Sequence, residues 1–266
     1  MTGAPVPFVA TVRAEWTKAA TLRSTAVVAT VAVLGSIALT VLLSVVVGAT
    51  HDDWSAADRA DYDPLLYSLT GGLVSGVALT VFGVSVMAGE FATGNIRATL
   101  VATPDRRRVL VAKGLVVAAF TGAVGTVAAV AMVVVGQLVL GAYDLETADL
   151  LTAGALRATL LSGLLTFVFP VLGVAAAAVT RSTAGGVGVL LALLFGPLVL
   201  GSVGAIPSSL EDVLDLLPAP AGDAIAIGHL DEGGDHLAAG LAVPVLAGWL
   251  VLAFALAAVV LERRDV

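Results

Sequence analysis

The stretch "TAVVATVAVLGSIALTVLLSVVVGAT", Thr25 to Thr50, runs 26 residues without an Asp, Glu, Lys, Arg or His. A bilayer's hydrocarbon core is about 30 Å thick and needs roughly 20 helical residues at about 1.5 Å each, so this run is long enough to cross. In lipid every backbone N–H and C=O must be satisfied within the segment. The alternating pattern of a barrel strand is absent, so the run predicts a helix. Five more runs of the same kind follow: Leu65–Gly89, Gly114–Gly141, Ala158–Thr180, Ser182–Ile206 and Leu237–Leu261. The whole chain agrees, with 12% charged residues and a mean hydropathy of +1.04, against about 25% charged in ordinary globular domains. The sequence therefore predicts an all-α polytopic membrane protein of six transmembrane helices, one domain over residues 1–266, with both termini on one side. The first run is too long for the apolar region of a cleaved signal peptide, which is about 7 to 15 residues.

Charge placement gives the orientation. Eleven of the thirteen Lys and Arg fall in alternate segments: Arg13, Lys18 and Arg23; Arg97, Arg106, Arg107, Arg108 and Lys113; Arg181; Arg263 and Arg264. The remaining loops hold Arg59 and Arg157 with fifteen acids. Because Lys and Arg near span ends collect on the cytoplasmic side, both termini are expected there. The net charge of −7 thus conceals a basic inner face beneath an acidic outer one.

Several chemistries are disfavoured. Without cysteine there is no disulfide or thiolate site. The spacing of His51, His229 and His236 matches no metal-binding pattern, so neither metal nor cofactor is expected. Ion-coupled transporters and intramembrane hydrolases place ionisable or nucleophilic groups inside their spans, whereas here Gln137 is the most polar intramembrane side chain. No Gly-x-x-x-x-Gly-Lys-Ser/Thr phosphate loop occurs, and the only lysines are Lys18 and Lys113, so the chain cannot hydrolyse ATP by that route. It is not expected to be an enzyme or to bind nucleic acid.

Three non-spanning segments carry more pattern than a connection needs. In residues 1–24, Phe8, Val12, Trp16 and Ala19 recur at spacings of four, four and three, which predicts an amphipathic helix lying in the membrane interface with Arg13, Glu15 and Lys18 pointing elsewhere. In the cytoplasmic loop 90–113, Ile96, Leu100 and Val101 share one face of a short helix that Thr93 or Asn95 can cap and Pro104 ends. That face either docks on something or lies on the membrane with Arg97 snorkelling. In the external loop 207–236, Leu210, Val213, Leu214 and Leu217 mark a second short helix, solvated or re-entrant, that Pro218–Pro220 terminate. Gly72, Gly76 and Thr80, and Gly185 with Gly188, offer small faces for helix contact. Pro170, Pro197 and Pro244 can bend their helices.

Two quoted stretches carry a resemblance. "VRAEWTKAATLRST", Val12 to Thr25, and "GEFATGNIRATLVATPDRRRVLVAKGL", Gly89 to Leu115, resemble the entry helix and the loop after the second span of bacterial ABC-2 type permeases. The family's loop elements fall here on Glu90, Gly94, Ile96, Arg97, Thr99, Leu100, Pro104, Arg107 and Lys113. The resemblance implies a coupling helix seated on a separate ATP-binding subunit, a second permease subunit (identical or not), residence in the bacterial cytoplasmic membrane, and export as the expected direction. It also implies that the external element covers the outer mouth of the path. The alternative is a non-transporting accessory or immunity protein of the same architecture. For Arg106–Arg108 two roles stay open: a topology anchor, or a contact from Arg107 to a carboxylate on the ATPase or the first helix.

Overall fold

The structure is a computed structural model, and it describes residues 7–202, 211–228, 230 and 237–264. In chain order the helices are α1 (Phe8–Thr21), α2 (Arg23–Thr50), α3 (Ala56–Ala60), α4 (Pro64–Leu69), α5 (Gly72–Ala92), α6 (Asn95–Ala102), α7 (Arg106–Ala142), α8 (Ala153–Leu165), α9 (Val168–Thr180), α10 (Thr183–Ser202), α11 (Glu211–Leu214), α12 (Pro218–Ala226) and α13 (Ala239–Arg263). No strand occurs among the described residues. Five stretches are long and apolar enough to cross a membrane: Arg23–Asp53, Pro64–Ala92, Arg106–Ala142, Ala153–Thr180 and Ala239–Arg263. The chain is thus a helical protein with the make-up of a multi-pass membrane protein. Of the expected fifth span, Ser182–Ile206, the helix α10 covers most, and residues 203–206 lie outside the described residues.

The 37-residue helix α7 is the spine. It starts at Arg106 rather than near Gly114, because the Asp105 side chain accepts a hydrogen bond from the Arg108 N–H and caps a first turn made of arginines. Around it pack α1, α2, α4, α5, α8 and α9, and α9 in turn packs against α5, α10 and α13. Buried Val84, Met87, Leu110, Val117, Leu172 and Val174 fill the layer between α5, α7 and α9.

Two of the crossing stretches are interrupted. Between α4 and α5 the chain turns at Thr70–Gly71, and α2 repairs the break. Thr40 Oγ1 donates to the Ser68 carbonyl at 3.2 Å, and Ser36 Oγ accepts from the Ser75 N–H at 3.0 Å. Gly71 is required there, since a Cβ would come within 2.2 Å of the Ser36 carbonyl oxygen. The second interruption falls at Thr166–Phe167, between α8 and α9. Its cause is Pro170, whose nitrogen has no hydrogen to give the carbonyl of Thr166 four residues back. Pro170 also packs directly on α5, where only a glycine fits: a Cβ on Gly83 would meet the Pro170 carbonyl oxygen at 2.1 Å.

These close approaches correct the expected helix contacts. Gly76 and Gly188 have nothing within 4 Å of an added Cβ, and Gly72 meets only Met132 at 3.7 Å. Backbones or side chains close instead on other glycines, among them Gly83, Gly125, Gly136 and Gly163. Spacing by four marks one face of a helix but does not say which face is covered. Gln137 is also explained as structural. Its Nε2 donates to the Pro64 carbonyl and Ser68 Oγ at 2.8 and 2.9 Å, and its Oε1 accepts from the Ala148 N–H at 2.7 Å, tying α7 to α4 and the following loop.

At the end of the bundle opposite α1, the rings of His51, Trp54, Tyr62 and Tyr67 stack on one another with centroids 5.2 to 6.2 Å apart. Burial first, and the charge of Glu146 second, push the Tyr62 phenol up to about 12. The segment expected to be external, 207–236, differs from its expected form where it is described. α11 is only four residues long, and Pro218 begins α12 instead of ending the pattern, as proline's fixed φ at the first helical position allows. The buried residues of α12 are Pro218, Ala221, Ala224 and Ala226, while Val213 is exposed and Leu214 and Leu217 are half-buried. Leu210 lies outside the described residues, as do His229 and His236.

Candidate functional site

At the basic end of the bundle four charged side chains from three helices meet. Lys113, seven residues into α7, is 1% exposed. Its Nζ donates to Glu15 Oε2 of α1 and to Glu90 Oε1 of α5, both at 2.6 Å. Lys18 of α1 closes the ring, reaching Glu15 Oε1 at 2.9 Å, Glu90 Oε1 at 3.1 Å and Thr99 Oγ1 of α6 at 3.3 Å. Two carboxylates and two ammonium groups balance. Burial opposes the charge on Lys18, but hydrogen bonds and attraction from Glu15 and Glu90 outweigh it and hold the amine above its usual range. Glu90 Oε2 has no hydrogen-bond partner among the described residues.

Local sequence explains how the groups arrive. α1 buries Thr11, Glu15 and Ala19, a face at i, i+4 and i+8. The packed face of that helix therefore carries an acid. Of the apolar stripe expected to lie in the membrane interface, Trp16 is 47% exposed, Phe8 and Val12 are half-buried and Ala19 is buried against the protein. Glu90 sits in the last turn of α5, and Gly94 then reverses the chain with φ 71° in the left-handed region before α6. Gly94 itself occupies the cap position of α6, so neither Thr93 nor Asn95 caps it; the Thr93 hydroxyl donates back to the Gly89 carbonyl. The helix ends as expected, at Ala102, with Thr103 extended before Pro104.

The faces of α6 divide in an unexpected way. Ile96 is 3% exposed and joins the chain's own core, with Leu100 packed against it. Arg97, Ala98, Val101 and Ala102 face outward, Val101 at 84% exposure. The three apolar residues that seemed to share one docking face are split between the interior and solvent.

Arg106 and Arg107 of the arginine triplet bind the other end of the chain. Arg107 makes a two-pronged contact with Glu262, Nε to Oε1 at 2.6 Å and a terminal nitrogen to Oε2 at 3.0 Å. Arg106 donates to the carbonyls of Leu261 and, at 3.1 Å, Arg264. Arg181, which ends α9 at φ 54°, also donates to the Arg264 carbonyl at 3.2 Å. Cations thus meet the unsatisfied carbonyls at the negative end of α13, a favourable placement. The partner of Arg107 is neither the first helix nor, within this chain, a free surface. Sequence reading missed this contact because the partners lie 155 positions apart.

Near the opposite end, a cleft of about 480 Å³ opens between the two interrupted stretches, α7 and α12. Thr70, Gly72, Gly76 and Thr80 line one wall, Ser162, Thr166 and Phe169 another, and Pro218, Gly222 and Asp223 the rim. Gly72 and Gly76, two of the glycines expected to hold a helix contact, therefore border open space. No family model matches this chain, and no curated protein matches it.

Proposed function

We propose that this chain is the membrane-spanning subunit of an ATP-driven transporter of the ABC-2 type, an exporter resident in a bacterial cytoplasmic membrane and coupled to a separate ATP-binding subunit through α6. The observation that carries the reading is the ring of Glu15, Lys18, Glu90 and Lys113, buried except at Lys18, which joins the interfacial helix α1, the end of α5, the short helix α6 and the spine α7. A topology anchor has no need to bury its lysine. Burying ions costs several kcal/mol each unless geometry and hydrogen bonds offset the loss of water. A ring that makes a displaced α6 pull on α7 gives that cost a mechanical purpose.

A sixth crossing by α10 completes the topology. α9 ends at Arg181 beside the end of α13, while α12, which follows α10 in sequence, lines the far cleft. Nucleotide-driven closure of the ATPase pair would push on the outward face of α6, at Arg97, Ala98 and Val101. The ring transmits the push to α1, α5 and α7. Two permease copies, or this chain with a related one, pair in the bilayer.

The direct test is ATP turnover by the ATP-binding subunit reconstituted with this chain, wild type against a Lys113→Met/Glu15→Met/Glu90→Met variant. Replacement of a buried ion cluster by apolar side chains of similar size can preserve folding. Stimulated turnover is expected to disappear while insertion persists. Retained stimulation would remove the role assigned to the ring.

A further inference from the structure

We infer that the groove between α9, α10 and α13 holds one acyl chain of an anionic phospholipid, whose headgroup rests at the basic end of the bundle. The groove encloses about 230 Å³ and is lined by apolar side chains, among them Leu172, Ala176, Leu190, Leu193, Trp249 and Ala253. The two polar groups of its described lining are engaged within the chain: the Thr180 hydroxyl donates to the Ala176 carbonyl at 2.9 Å, and the Trp249 indole N–H to the Leu216 carbonyl at 2.7 Å. Its volume is below the usual range of about 300–1,000 Å³ for small-molecule sites. A single hydrocarbon chain is narrow enough to lie in it.

Depth selects the leaflet. The groove follows α9 from Leu172 to Thr180 and α13 from Trp249 to Leu256, about 10–12 Å of helix at about 1.5 Å per residue. Half of a hydrocarbon core is about 15 Å, so the groove covers most of one leaflet. Its Thr180 end adjoins Arg181, which donates to the Arg264 carbonyl at the basic end. Trp249, the eleventh of the 25 residues of α13, marks the other end, near the bilayer middle. A lipid tail that enters from the basic side therefore has the length the groove accepts.

Charge selects the headgroup. On α13 the groove-lining stripe of Trp249, Leu252 and Leu256 runs on to Arg263, which is exposed. Seven residues turn a helix by about 700°, within about 20° of two full turns, so Arg263 stands in line with Leu256. Glu262, one position earlier, is turned about 100° aside and is held by Arg107. Cα–Cβ bonds lean towards a helix's N-terminus, which for Arg263 is back towards the groove. The segments at this end carry Arg106, Arg107, Arg108, Arg181, Arg263 and Arg264 against Asp105, Glu262 and Asp265. Basic pockets between spanning helices bind anionic lipid headgroups. An apolar channel of leaflet depth with an arginine in line at its mouth fits an anionic lipid better than a neutral one. The inference needs a membrane-spanning chain and does not depend on the transporter reading.

The test is fluorescence of Trp249 in liposomes, with Trp16→Phe and Trp54→Phe leaving it as the sole indole of the three in the chain. Phosphatidylglycerol or phosphatidylcholine with the same brominated chains is titrated into unbrominated phosphatidylcholine, since bromine quenches an indole only on contact. Half-maximal quenching is expected at about fivefold less phosphatidylglycerol than phosphatidylcholine, the share of one arginine near an anionic headgroup. Arg263→Gln is expected to abolish that preference, and Arg13→Gln, an exposed arginine on α1, to keep it. Ala253→Phe fills the groove and is expected to abolish the preference with Arg263 in place. Equal quenching by the two lipids, no quenching by either, or a preference that survives Arg263→Gln or Ala253→Phe would each overturn the assignment. Leu252→Cys, the sole cysteine of its variant, is expected to stay monomeric under oxidation; an efficient disulfide between two copies would show a second chain in the groove and overturn it as well. Because no ATPase is present, any of these failures leaves the permease reading standing.

Discussion

Lys113 is held at 1% exposure between two carboxylates, so its removal strands both Glu15 and Glu90 without their shared cation. Breaking a buried pair by deleting one partner costs roughly 3–5 kcal/mol. Lys113→Met is expected to lower the thermal unfolding midpoint of the detergent-purified protein markedly, and the triple methionine variant is expected to regain most of it. An unchanged midpoint in the single variant would mean the ring is hydrated and mechanically slack. Arg107 and Glu262 make a closer pair on paper than in energy. Both are solvated at 66% and 42% exposure, where an ion pair contributes little. The sequence hid the ring because each member has an ordinary local reading: Lys113 as a flanking cation, Glu90 as the last acid before a loop, Glu15 as part of a polar face. What could have revealed it is that two acids and two lysines all fall at the same depth, at span ends assigned to one side.

At the scale of elements, α6 was legible in position and length, and Pro104 stopped it for the reason given by the sequence. Its facing was not legible. Ile96, Leu100 and Val101 fit one helical stripe, yet Gly94 sets the helix so that Ile96 and Leu100 complete the core of α5 and α9 while Val101 looks outward. Two substitutions separate these roles. Leu100→Asp forces a carboxylate against apolar neighbours and is expected to destabilise the fold by about 2 kcal/mol or more, read as reduced yield and an earlier unfolding midpoint. Val101→Asp places the same charge in solvent and is expected to leave the fold intact. If the two variants unfold alike, α6 does not sit as described. α12 makes the opposite case: a proline pair read as a terminator serves as an initiator, because proline stops the helix before it and suits the first turn of the helix after it.

For the whole molecule, apolar runs of more than 20 residues leave the chain little choice but helices that cross, which is why five such stretches were readable without any structure. The interruption at Thr70–Gly71 was not, since it is as apolar as its surroundings and is stabilised from another helix by Ser36 and Thr40, whereas the one at Thr166–Phe167 was signalled by Pro170. The topology has a direct check in a chain without cysteine. Ser182→Cys and Ala102→Cys are expected to resist an impermeant thiol reagent in whole cells, while Asp61→Cys and Val213→Cys react. Labelling of Ser182→Cys and Val213→Cys from the same side would show that α10 does not cross. The central claim is that α6 is where an ATPase engages this chain, and it is tested most directly by isolating the tagged protein from its native membranes as wild type and as Val101→Asp and measuring co-purified ATP turnover. The account expects an ATP-hydrolysing subunit to accompany the wild type and to be lost from the folded variant. Equal turnover in the two preparations, or none in the wild type, would contradict it.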